Sequence, residues 1–485
     1  MITEKITDKI VNLYPFTPTE EQMEAIKAMS HFVAMSAERQ VFLLKGYAGT
    51  GKTTLVATLV KALKQMRRKV ILMAPTGRAA KVFSTYSGFM AYTIHKRIYR
   101  QKSIVDNTSF QLNINNYEDT LFIVDESSMI SNQGLSGSMF GTGRLLDDLI
   151  TYVYSSKSCS LLLLGDSAQL PPVGEYSSPA LLEKELESYN LKVTPFTLKT
   201  VMRQTYTSGI LYNATQLRNM LPEKVDIPAE IMSGFKFKLS GFTDVVRISG
   251  QDLIESISHC YRRDGIEETI VLCRSNKKAI VYNNGIRNTI LDREDELNRG
   301  EHLMIVKNNY YWTEHLAPED RDSYLEYPSF IANGDVAVVQ RIRRSREMYG
   351  FRYVDVVLTF PDYDDIEMDV TLLLDTLHSE SPSLTQQENE RLFGNVMEDY
   401  IHIRSKKERM KQLRENQYYN AIQVKYAYAI TCHKAQGGQW KNVFIDQGYV
   451  PEGGRDADYG RWLYTALTRA TETVYLVNWP EKEIE

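Results

Sequence analysis

The stretch Val41–Thr53, VFLLKGYAGTGKT, decides the fold class of this 485-residue chain. Its first four residues are apolar and predict a short buried strand, and the residues after it, Thr54–Ala57, favour a helix. A strand, a GxxxxGK[ST] loop and a helix in this order form a P-loop, in which backbone N–H groups and the positive helix N-terminus surround phosphate oxygens. The sequence therefore predicts an α/β fold with a phosphate site at this loop.

The residue types of the loop divide the work at such a site. The Lys52 ammonium is expected to bridge the β- and γ-phosphates of ATP, and the Thr53 hydroxyl is expected to hold Mg²⁺. The remaining predicted nucleotide contacts in the loop are Gly46, Gly49, Thr50, Gly51 and Thr54.

A pair of carboxylates completes the predicted metal site. The apolar run Leu121–Val124 ends in Asp125 and Glu126. Such a pair alone often begins a helix, but beside a P-loop it has the chemistry that phosphoryl transfer needs. Asp125 is then expected to hold Mg²⁺, and Glu126 to orient and deprotonate the attacking water.

Short apolar runs predict the layout of the chain. Strands that are apolar throughout are typical of a parallel sheet covered by helices on both faces. A first set of such runs predicts one α/β domain over residues 1–200, and a second set predicts another built from two pieces, 201–335 and 427–485. Alternation between Arg97 and Asp119, around a turn at Asp106-Asn107, predicts a small β-hairpin insertion at 97–119. Strand-like runs followed by a charged helical arm, about 385–416, predict a small β-barrel at 336–426.

Composition limits the class of protein but does not show whether it binds a nucleic acid. A chain of 485 residues is expected to form about two to four domains. The net charge of −4 neither favours nor excludes a nucleic acid, which would need a local basic surface. Four separated cysteines argue against zinc and disulfides, and no apolar run approaches the length of a membrane span, so we expect a cytoplasmic protein.

Read in order, eight segments resemble the motif series of superfamily 1 helicases, in particular the 5′-to-3′ RecD-like and Dda-like branch, superfamily 1B. They run through most of the chain: Thr19–Gln22, Ala74–Lys81, Thr93–His95, Asp125-Glu126, Gly165–Val173, Leu198–Gln204, Thr431–Gly437 and Tyr464–Ala470. The resemblance implies two RecA-like domains of the P-loop class, with the hairpin as a strand-separating pin and the barrel as an SH3-like domain.

The resemblance also implies roles for residues that spacing alone leaves unassigned. Gln22 would read the adenine, Gln169 would sense the γ-phosphate, and Arg203 and Arg469 would act as catalytic arginines across the cleft between the domains. The expected contacts to a nucleic-acid strand are Pro75, Thr76, Lys81, Thr93, His95, Thr431, His433 and Lys434. The implied partners are single-stranded DNA and junctions between single and double strands, with ATP and Mg²⁺ as cofactors.

Several alternatives stay open at the level of sequence. An RNA-directed or mixed motor of the same superfamily would use the same phosphate and stacking contacts. A nucleotide-switched interaction protein is the rival from another class, although Glu126 and both arginines argue for turnover. The basic run Arg404–Arg414 is either a solvated helix face or a contact to duplex backbone, and the Gly- and Ser-rich segment 131–143 is interpreted as a flexible loop.

Overall fold

The computed structural model describes residues 2–35, 38–101, 110–134, 140–201, 208–221, 234–314, 328, 330–450 and 455–485. Its strands are β1 Gln40–Gly46, β2 Lys69–Ala74, β3 Ala91–Thr93, β4 Tyr99–Gln101, β5 Phe110–Leu112, β6 Thr120–Val124, β7 Ser160–Gly165, β8 Lys192–Leu198, β9 Val245–Ile248, β10 Thr269–Cys273, β11 His302–Ile305, β12 Val336–Met348, β13 Phe351–Phe360, β14 Ile366–Leu373, β15 Ile422–Tyr426, β16 Ala429–Thr431, β17 Trp440–Asp446 and β18 Ala470–Val477. Its helices are α1 Ile2–Leu13, α2 Glu20–Ala34, α3 Lys52–Gln65, α4 Gly77–Ser87, α5 Ile94–Ile98, α6 Leu145–Tyr154, α7 Glu183–Ser188, α8 Gly209–Met220, α9 Leu253–Asp264, α10 Asn276–Thr289, α11 Tyr311–Glu314, α12 Gln386–Glu398, α13 Lys406–Arg414, α14 Cys432–Ala435 and α15 Ala457–Leu467.

Two parallel sheets form the centres of two α/β domains. The sheet of domain 1 has the order β3-β2-β6-β7-β1-β8, and the sheet of domain 2 has the order β16-β10-β17-β18-β9. The predicted runs become β1, β2, β6 and β7, whose side chains are buried on both faces because helices cover the sheet on each side. The sheet of domain 2 combines β9 and β10, which precede the barrel in the chain, with β16 to β18, which follow it; the predicted domain limits stay a prediction.

The barrel is closed and begins earlier in the chain than predicted. Five strands, β11 to β15, form it, and β11 pairs with both β12 and β15. The predicted start at residue 336 left out β11, since this strand has only four residues and begins with a polar side chain, His302. Without β11 the sheet would expose two unpaired edges, which closure removes.

Two smaller elements project from this framework. The hairpin pairs β4 with β5, Tyr99 facing Leu112, and the turn predicted at Asp106-Asn107 lies outside the described residues. The predicted helical arm consists of two helices, α12 and α13, which pack on the barrel through a small core that includes Leu392, Val396 and Leu413. In the part of the chain that the structure describes, no helix is both long and apolar enough to span a bilayer.

The carboxyl ends of the parallel strands position the functional side chains. In domain 1, β1 leads into the P-loop, β6 into Asp125 and β7 into Asp166, while β2 and β3 lead into Pro75 and Ile94. Parallel β-strands end at the same edge of a sheet. In domain 1, the residues predicted to bind ATP and those predicted to contact a nucleic-acid strand therefore lie along one edge.

Candidate nucleotide and nucleic-acid site

The P-loop has the backbone conformation that its glycines permit. Gly49 and Gly51 adopt φ angles of 76° and 83°, in the left-handed region that residues with a Cβ rarely occupy. A Cβ on Gly46 would lie 2.8 Å from Cγ of Lys52, so that position also requires glycine. The Lys52 ammonium donates to the carbonyls of Gly46 and Tyr47, which holds the lysine side chain across the loop.

Gln22 ties the start of α2 to this loop. Its Oε1 accepts from the N–H of Thr19 at 3.1 Å, and its own N–H donates to the Thr19 hydroxyl, which forms a capping box. Its Nε2 donates to the carbonyl of Thr50 at 3.0 Å, and the side chain is 1% exposed. The amide predicted to read adenine therefore also fixes the P-loop backbone, a task that the sequence did not indicate.

Asp125 and Glu126 lie at the end of β6 as predicted. Glu126 adopts the left-handed conformation, with φ 50° and ψ 38°, and its N–H donates to Oδ1 of Asp125 at 2.8 Å. Burial and the Glu126 carboxyl raise the pKa of Asp125, while the Glu126 N–H and the Lys52 ammonium oppose that shift. Oxygen atoms of carboxylates and hydroxyls are ligands that Mg²⁺ prefers. The Asp125 carboxylate and the Thr53 hydroxyl therefore have the chemistry to hold the predicted Mg²⁺.

The segment after β7 places Gln169 beside the same edge. Asp166 is 1% exposed, and its Oδ1 accepts from the N–H of Ala168 at 2.9 Å, which shapes the turn. Gln169 is 6% exposed, and its buried Oε1 has no hydrogen-bond partner among the described residues. An uncommitted amide oxygen in this place is suited to orient water or a phosphate-bound group, as the resemblance implies.

Helix α15 of domain 2 reaches across the cleft and contacts domain 1 directly. The Tyr464 hydroxyl accepts from the N–H of Ala48 in the P-loop at 2.9 Å and donates to Oδ2 of Asp166 at 2.7 Å. The neighbouring Thr465 hydroxyl accepts from the N–H of Leu170 at 2.9 Å. The carbonyl of Leu170 accepts from Nε2 of Gln436 at 2.7 Å. These contacts were not predicted, although the residues belong to the motifs quoted above, because a motif does not identify its partners in space.

Of the two predicted catalytic arginines, the structure describes Arg469 but not Arg203. Arg469 is 4% exposed and donates to the carbonyls of Thr465 and Gly438 in its own domain, at 3.1 and 3.3 Å. Its action across the cleft stays a prediction. Arg203 lies outside the described residues.

A third arginine, missed in the sequence, packs on the P-loop. The guanidinium carbon of Arg218, on α8, lies 4.1 Å from the ring centroid of Tyr47. Cations favour the face of an aromatic ring, so this contact helps to hold α8 over the loop. A Cβ on Gly49 would lie 3.0 Å from the Leu211 side chain, so the same helix also requires the small residue at that position.

The residues of domain 1 that are predicted to contact a nucleic-acid strand lie near the carboxyl ends of the β-strands β2 and β3. Pro75 follows β2, and Thr76 caps α4, its hydroxyl accepting from the N–H of Ala79 at 3.2 Å. Thr93 caps α5 in the same way, accepting from Lys96 at 3.1 Å. A cavity of about 250 Å³ adjoins these helices, lined by residues including Lys81, Tyr92, Thr93, Lys96, Phe330 and Asp362.

Lys81 is engaged by the barrel. Its ammonium donates to the carbonyl of Pro361 and lies 3.6 Å from Oδ1 of Asp362, in the turn between β13 and β14. The turn is seated on α4, since the Tyr363 hydroxyl donates to Asp335 at 2.8 Å and a Cβ on Gly77 would lie 2.7 Å from Asp335. A lysine predicted to meet a phosphate thus has a carboxylate of the same chain beside it.

His95 belongs to an aromatic cluster and not to an open polar surface. Its ring lies 4.9 Å from that of Phe140 and 6.2 Å from that of Phe330, and burial lowers the pKa of His95 to about 4. The imidazole is therefore neutral at physiological pH and brings no charge to a phosphate. The cluster joins the hairpin to the segment between the barrel strands β11 and β12, because the rings of Phe110 and Tyr310 are 4.4 Å apart.

Domain 2 contributes the remaining predicted contacts around α14. Thr431 occupies the N-cap position of this helix without a side-chain cap hydrogen bond. Lys434 donates to Oδ1 of Asn333 at 2.5 Å, and burial lowers the pKa of Lys434 to about 8. His433 lines a cavity of about 580 Å³ between the domains, together with Val173 and Tyr176. Both residues are exposed, Val173 at 78% and Tyr176 at 76%. Val173 ends the motif segment Gly165–Val173, whereas no sequence pattern selected Tyr176.

Two segments left open by the sequence have defined surroundings. The described ends of the segment 131–143 are held in place, since Ser131 and Asn132 bond to Glu175 and the N–H of Gly141 donates to the carbonyl of Phe110. In α13, the basic side chains are mostly exposed and only Leu413 is buried, which agrees with a solvated face. Contact of this face with duplex DNA stays untested.

Comparison with known proteins agrees with this architecture. A family model described as an AAA domain matches residues 17–227, and one described as a UvrD-like helicase C-terminal domain matches residues 426–477. Among curated relatives, an uncharacterized protein of Methanocaldococcus jannaschii is 25% identical over 98% of this chain and 40% of its own length. An uncharacterized protein of Acanthamoeba polyphaga mimivirus is 21% identical over 94% of this chain and 98% of its own length.

A relative with a described activity and a solved structure are also similar to this chain. The ATP-dependent DNA helicase dda of Enterobacteria phage T4 is 26% identical, over 58% of each chain. A crystal structure of Pif1 helicase from Bacteroides with ADP-AlF3 and ssDNA aligns with 97% of this chain and 95% of its own, at 16% identity and a TM-score of 0.47.

The fold and the site define a two-domain P-loop protein whose second domain contacts the loop of the first. The motif series, the two family models and the relative from phage T4 support a helicase of superfamily 1B. The chain spans less than half of the first relative named above, so the activity of the whole protein is treated below as a proposal.

Proposed function

We propose that the protein is an ATP-dependent DNA helicase that moves 5′-to-3′ along single-stranded DNA and unwinds duplex ahead of it. In this proposal Mg·ATP binds at the P-loop, with Thr53 and Asp125 as metal ligands and Glu126 as the base. Hydrolysis opens and closes the cleft between domains 1 and 2. The proposed limits are residues 1–200 for the first domain and 201–301 and 427–485 for the second, since β11 belongs to the barrel.

The observation that carries this proposal is the contact of α15 with the P-loop. Tyr464 of domain 2 bonds to Ala48 and Asp166 of domain 1, residues 416 and 298 positions away in the chain. A site shared in this way changes when the domains separate, so nucleotide binding and domain closure are linked. A nucleic-acid strand that touches α4 and α14 would contact both domains and would therefore feel that closure.

The test measures ATP turnover with and without single-stranded DNA and RNA, and unwinding of duplexes that carry a 5′ or a 3′ overhang. DNA-stimulated turnover with unwinding from the 5′ overhang is the expected result. Stimulation by RNA alone would favour the RNA-directed alternative, and unwinding only from a 3′ overhang would reverse the polarity. No stimulation by either nucleic acid would replace the motor with a nucleotide-switched protein.

Replacement of Asp362 by asparagine is expected to tighten binding of single-stranded DNA about two- to fivefold at low salt, the range of an exposed ion pair. The change removes the carboxylate charge beside Lys81 and frees that ammonium for a phosphate. One further phosphate contact should steepen the dependence of log K on log salt by about 0.7. Fluorescence anisotropy of a labelled oligonucleotide across a salt series measures both effects.

Two controls make this result specific. Asp365→Asn removes an exposed carboxylate from the same turn and should leave the affinity as it is. In a Lys81→Ala background, Asp362→Asn should have no effect. Weaker binding by Asp362→Asn would instead mean that the turn helps to hold the strand against α4.

Replacement of Phe110 by alanine is expected to lower duplex unwinding several-fold more than DNA-stimulated ATP turnover. Phe110 anchors β5 of the hairpin against Phe140 and Tyr310, with ring centroids 4.9 and 4.4 Å away. Loss of a packed aromatic ring costs up to about 3–5 kcal/mol when it is fully buried and less here, where burial is partial. The hairpin would then lose its fixed position as a wedge while the nucleotide site is unaffected.

The control for this variant is Phe393→Ala, which removes a 38% exposed ring from the arm. Stopped-flow unwinding and steady-state ATPase assays on the same preparations provide the ratio. Equal losses of unwinding and turnover in Phe110→Ala would remove the wedge role from the hairpin.

A further inference from the structure

Tyr464 of α15 connects domain 2, which carries predicted nucleic-acid contacts, to the P-loop of domain 1. Its side chain is 1% exposed, and its hydroxyl makes two hydrogen bonds that lead to different parts of domain 1. One is from the backbone N–H of Ala48, inside the P-loop, and the other is to the Asp166 carboxylate, at the start of the segment that carries Gln169.

The direction of these bonds is fixed by chemistry. The Asp166 carboxylate can only accept, and the Ala48 N–H can only donate, so one hydroxyl serves both by donating to the first and accepting from the second. Burial and the nearby Asp166 charge raise the pKa of Tyr464 well above its usual range, so the hydroxyl keeps its proton. No other side chain of α15 contacts both segments among the bonds of the described residues.

The two ends of this bridge are connected to the predicted ligands. Asp166 shapes the turn to Gln169 through Ala168, and the next residue, Leu170, is held by Thr465 and Gln436. Gln436 lies two residues after Lys434, a predicted strand contact. Ala48 is four residues before Lys52, the predicted phosphate ligand. A movement of α15 on binding of a nucleic-acid strand would therefore reach the P-loop backbone through the Tyr464 hydroxyl, and the Asp166–Leu170 turn through Tyr464, Thr465 and Gln436.

We infer that Tyr464 is a positioning residue whose hydroxyl couples nucleic-acid binding to ATP turnover by setting the P-loop and the Asp166–Gln169 turn together. The inference rests on the proposed motor function and deepens it. It predicts that loss of the hydroxyl uncouples the two sites, because the buried Asp166 carboxylate and the partly buried Ala48 N–H lose their shared partner.

The test is Tyr464→Phe in the full chain, which keeps the ring and removes only the hydroxyl. The measured quantity is the ratio of ATP turnover with saturating single-stranded DNA to turnover without it. We expect this ratio to fall about tenfold, mainly through a lower kcat in the presence of DNA, while the affinity for the oligonucleotide changes less than threefold.

Tyr459→Phe is the matched control. Tyr459 lies on the same helix, is 4% exposed, and donates its hydroxyl to Oε1 of Gln447 within domain 2 at 2.6 Å. A purely structural role for the Tyr464 hydroxyl would make both variants lose thermal stability without changing the stimulation ratio. The coupling role requires that Tyr464→Phe alone lowers the ratio.

A second variant keeps the test decisive if Tyr464→Phe unfolds. Asp166→Asn retains an acceptor for the tyrosine and removes the charge, and it should lower the same ratio by a smaller factor. The double variant should be no worse than Tyr464→Phe, since both changes act on one bond. Wild-type protein without DNA stimulation would refute the motor function itself, whereas a stimulated wild type with an equally stimulated Tyr464→Phe would overturn only the coupling role.

Discussion

Replacement of Lys52 by alanine is expected to lower ATP turnover by on the order of 10²–10³-fold or more, the scale of losing a charge-stabilising donor in a catalytic site. The Lys52 ammonium donates to the carbonyls of Gly46 and Tyr47 in the P-loop. Its positive charge also acts to lower the pKa of Asp125. Alanine removes the cation that would stabilise the transferring phosphoryl group. Unwinding should be lost with turnover, because no energy source remains.

Lys61→Ala is the control, since Lys61 is an exposed lysine on the same helix. Phosphate release with saturating DNA, together with gel-based unwinding, measures the effect. Retained turnover in Lys52→Ala would remove the P-loop assignment, because no other described lysine occupies the loop.

Replacement of Glu126 by glutamine is expected to leave Mg·ATP binding nearly intact and to lower turnover by on the order of 10²–10⁴-fold, the contribution of a general base. Glutamine has almost the same shape but cannot accept a proton from water. Its backbone must keep the left-handed conformation that Glu126 adopts, with φ 50°. Since glutamine meets the same backbone demand, folding should be preserved.

The measurement separates binding from chemistry. Equilibrium binding of a fluorescent ATP analogue should give a Kd within a few-fold of the wild type, and single-turnover hydrolysis should show the loss. Glu118→Gln, at the exposed start of the same chain segment, is the control. A normal single-turnover rate in Glu126→Gln would transfer the role of base to another residue.

The architecture was largely predictable because its strands are buried on both faces. The runs that became β1, β2, β6 and β7 are apolar throughout, which is typical of strands in a parallel sheet covered by helices on both faces. Their composition therefore predicted this kind of strand. The P-loop was equally clear, since Gly49 and Gly51 are demanded by positive φ angles. The short strand β11 was missed because four residues carry too little periodicity to be distinguished from a loop.

The contacts that complete the site could not be predicted from the sequence. Ala48 and Tyr464 are 416 positions apart, and Lys81 and Pro361 are 280 apart. No local pattern encodes such pairs, because each depends on how two domains and the barrel pack. His95 illustrates the same limit: its motif indicated a strand contact, whereas the rings of Phe140 and Phe330 around it became visible only in three dimensions.

The way the barrel joins domain 2 has a consequence for how such a chain can diversify. The chain enters the barrel through β11 and leaves through β15, and these are neighbouring antiparallel strands with Leu303 opposite Tyr426. Paired residues of this kind have Cα atoms only about 4.5–5.5 Å apart. Entrance and exit are thus adjacent, so the barrel and its arm behave as a cassette that can be exchanged, enlarged or trimmed while the sheet of β10, β16 and β17 keeps its register. Related chains could in this way alter the surface that the barrel and its arm expose without changing the parallel sheet of domain 2.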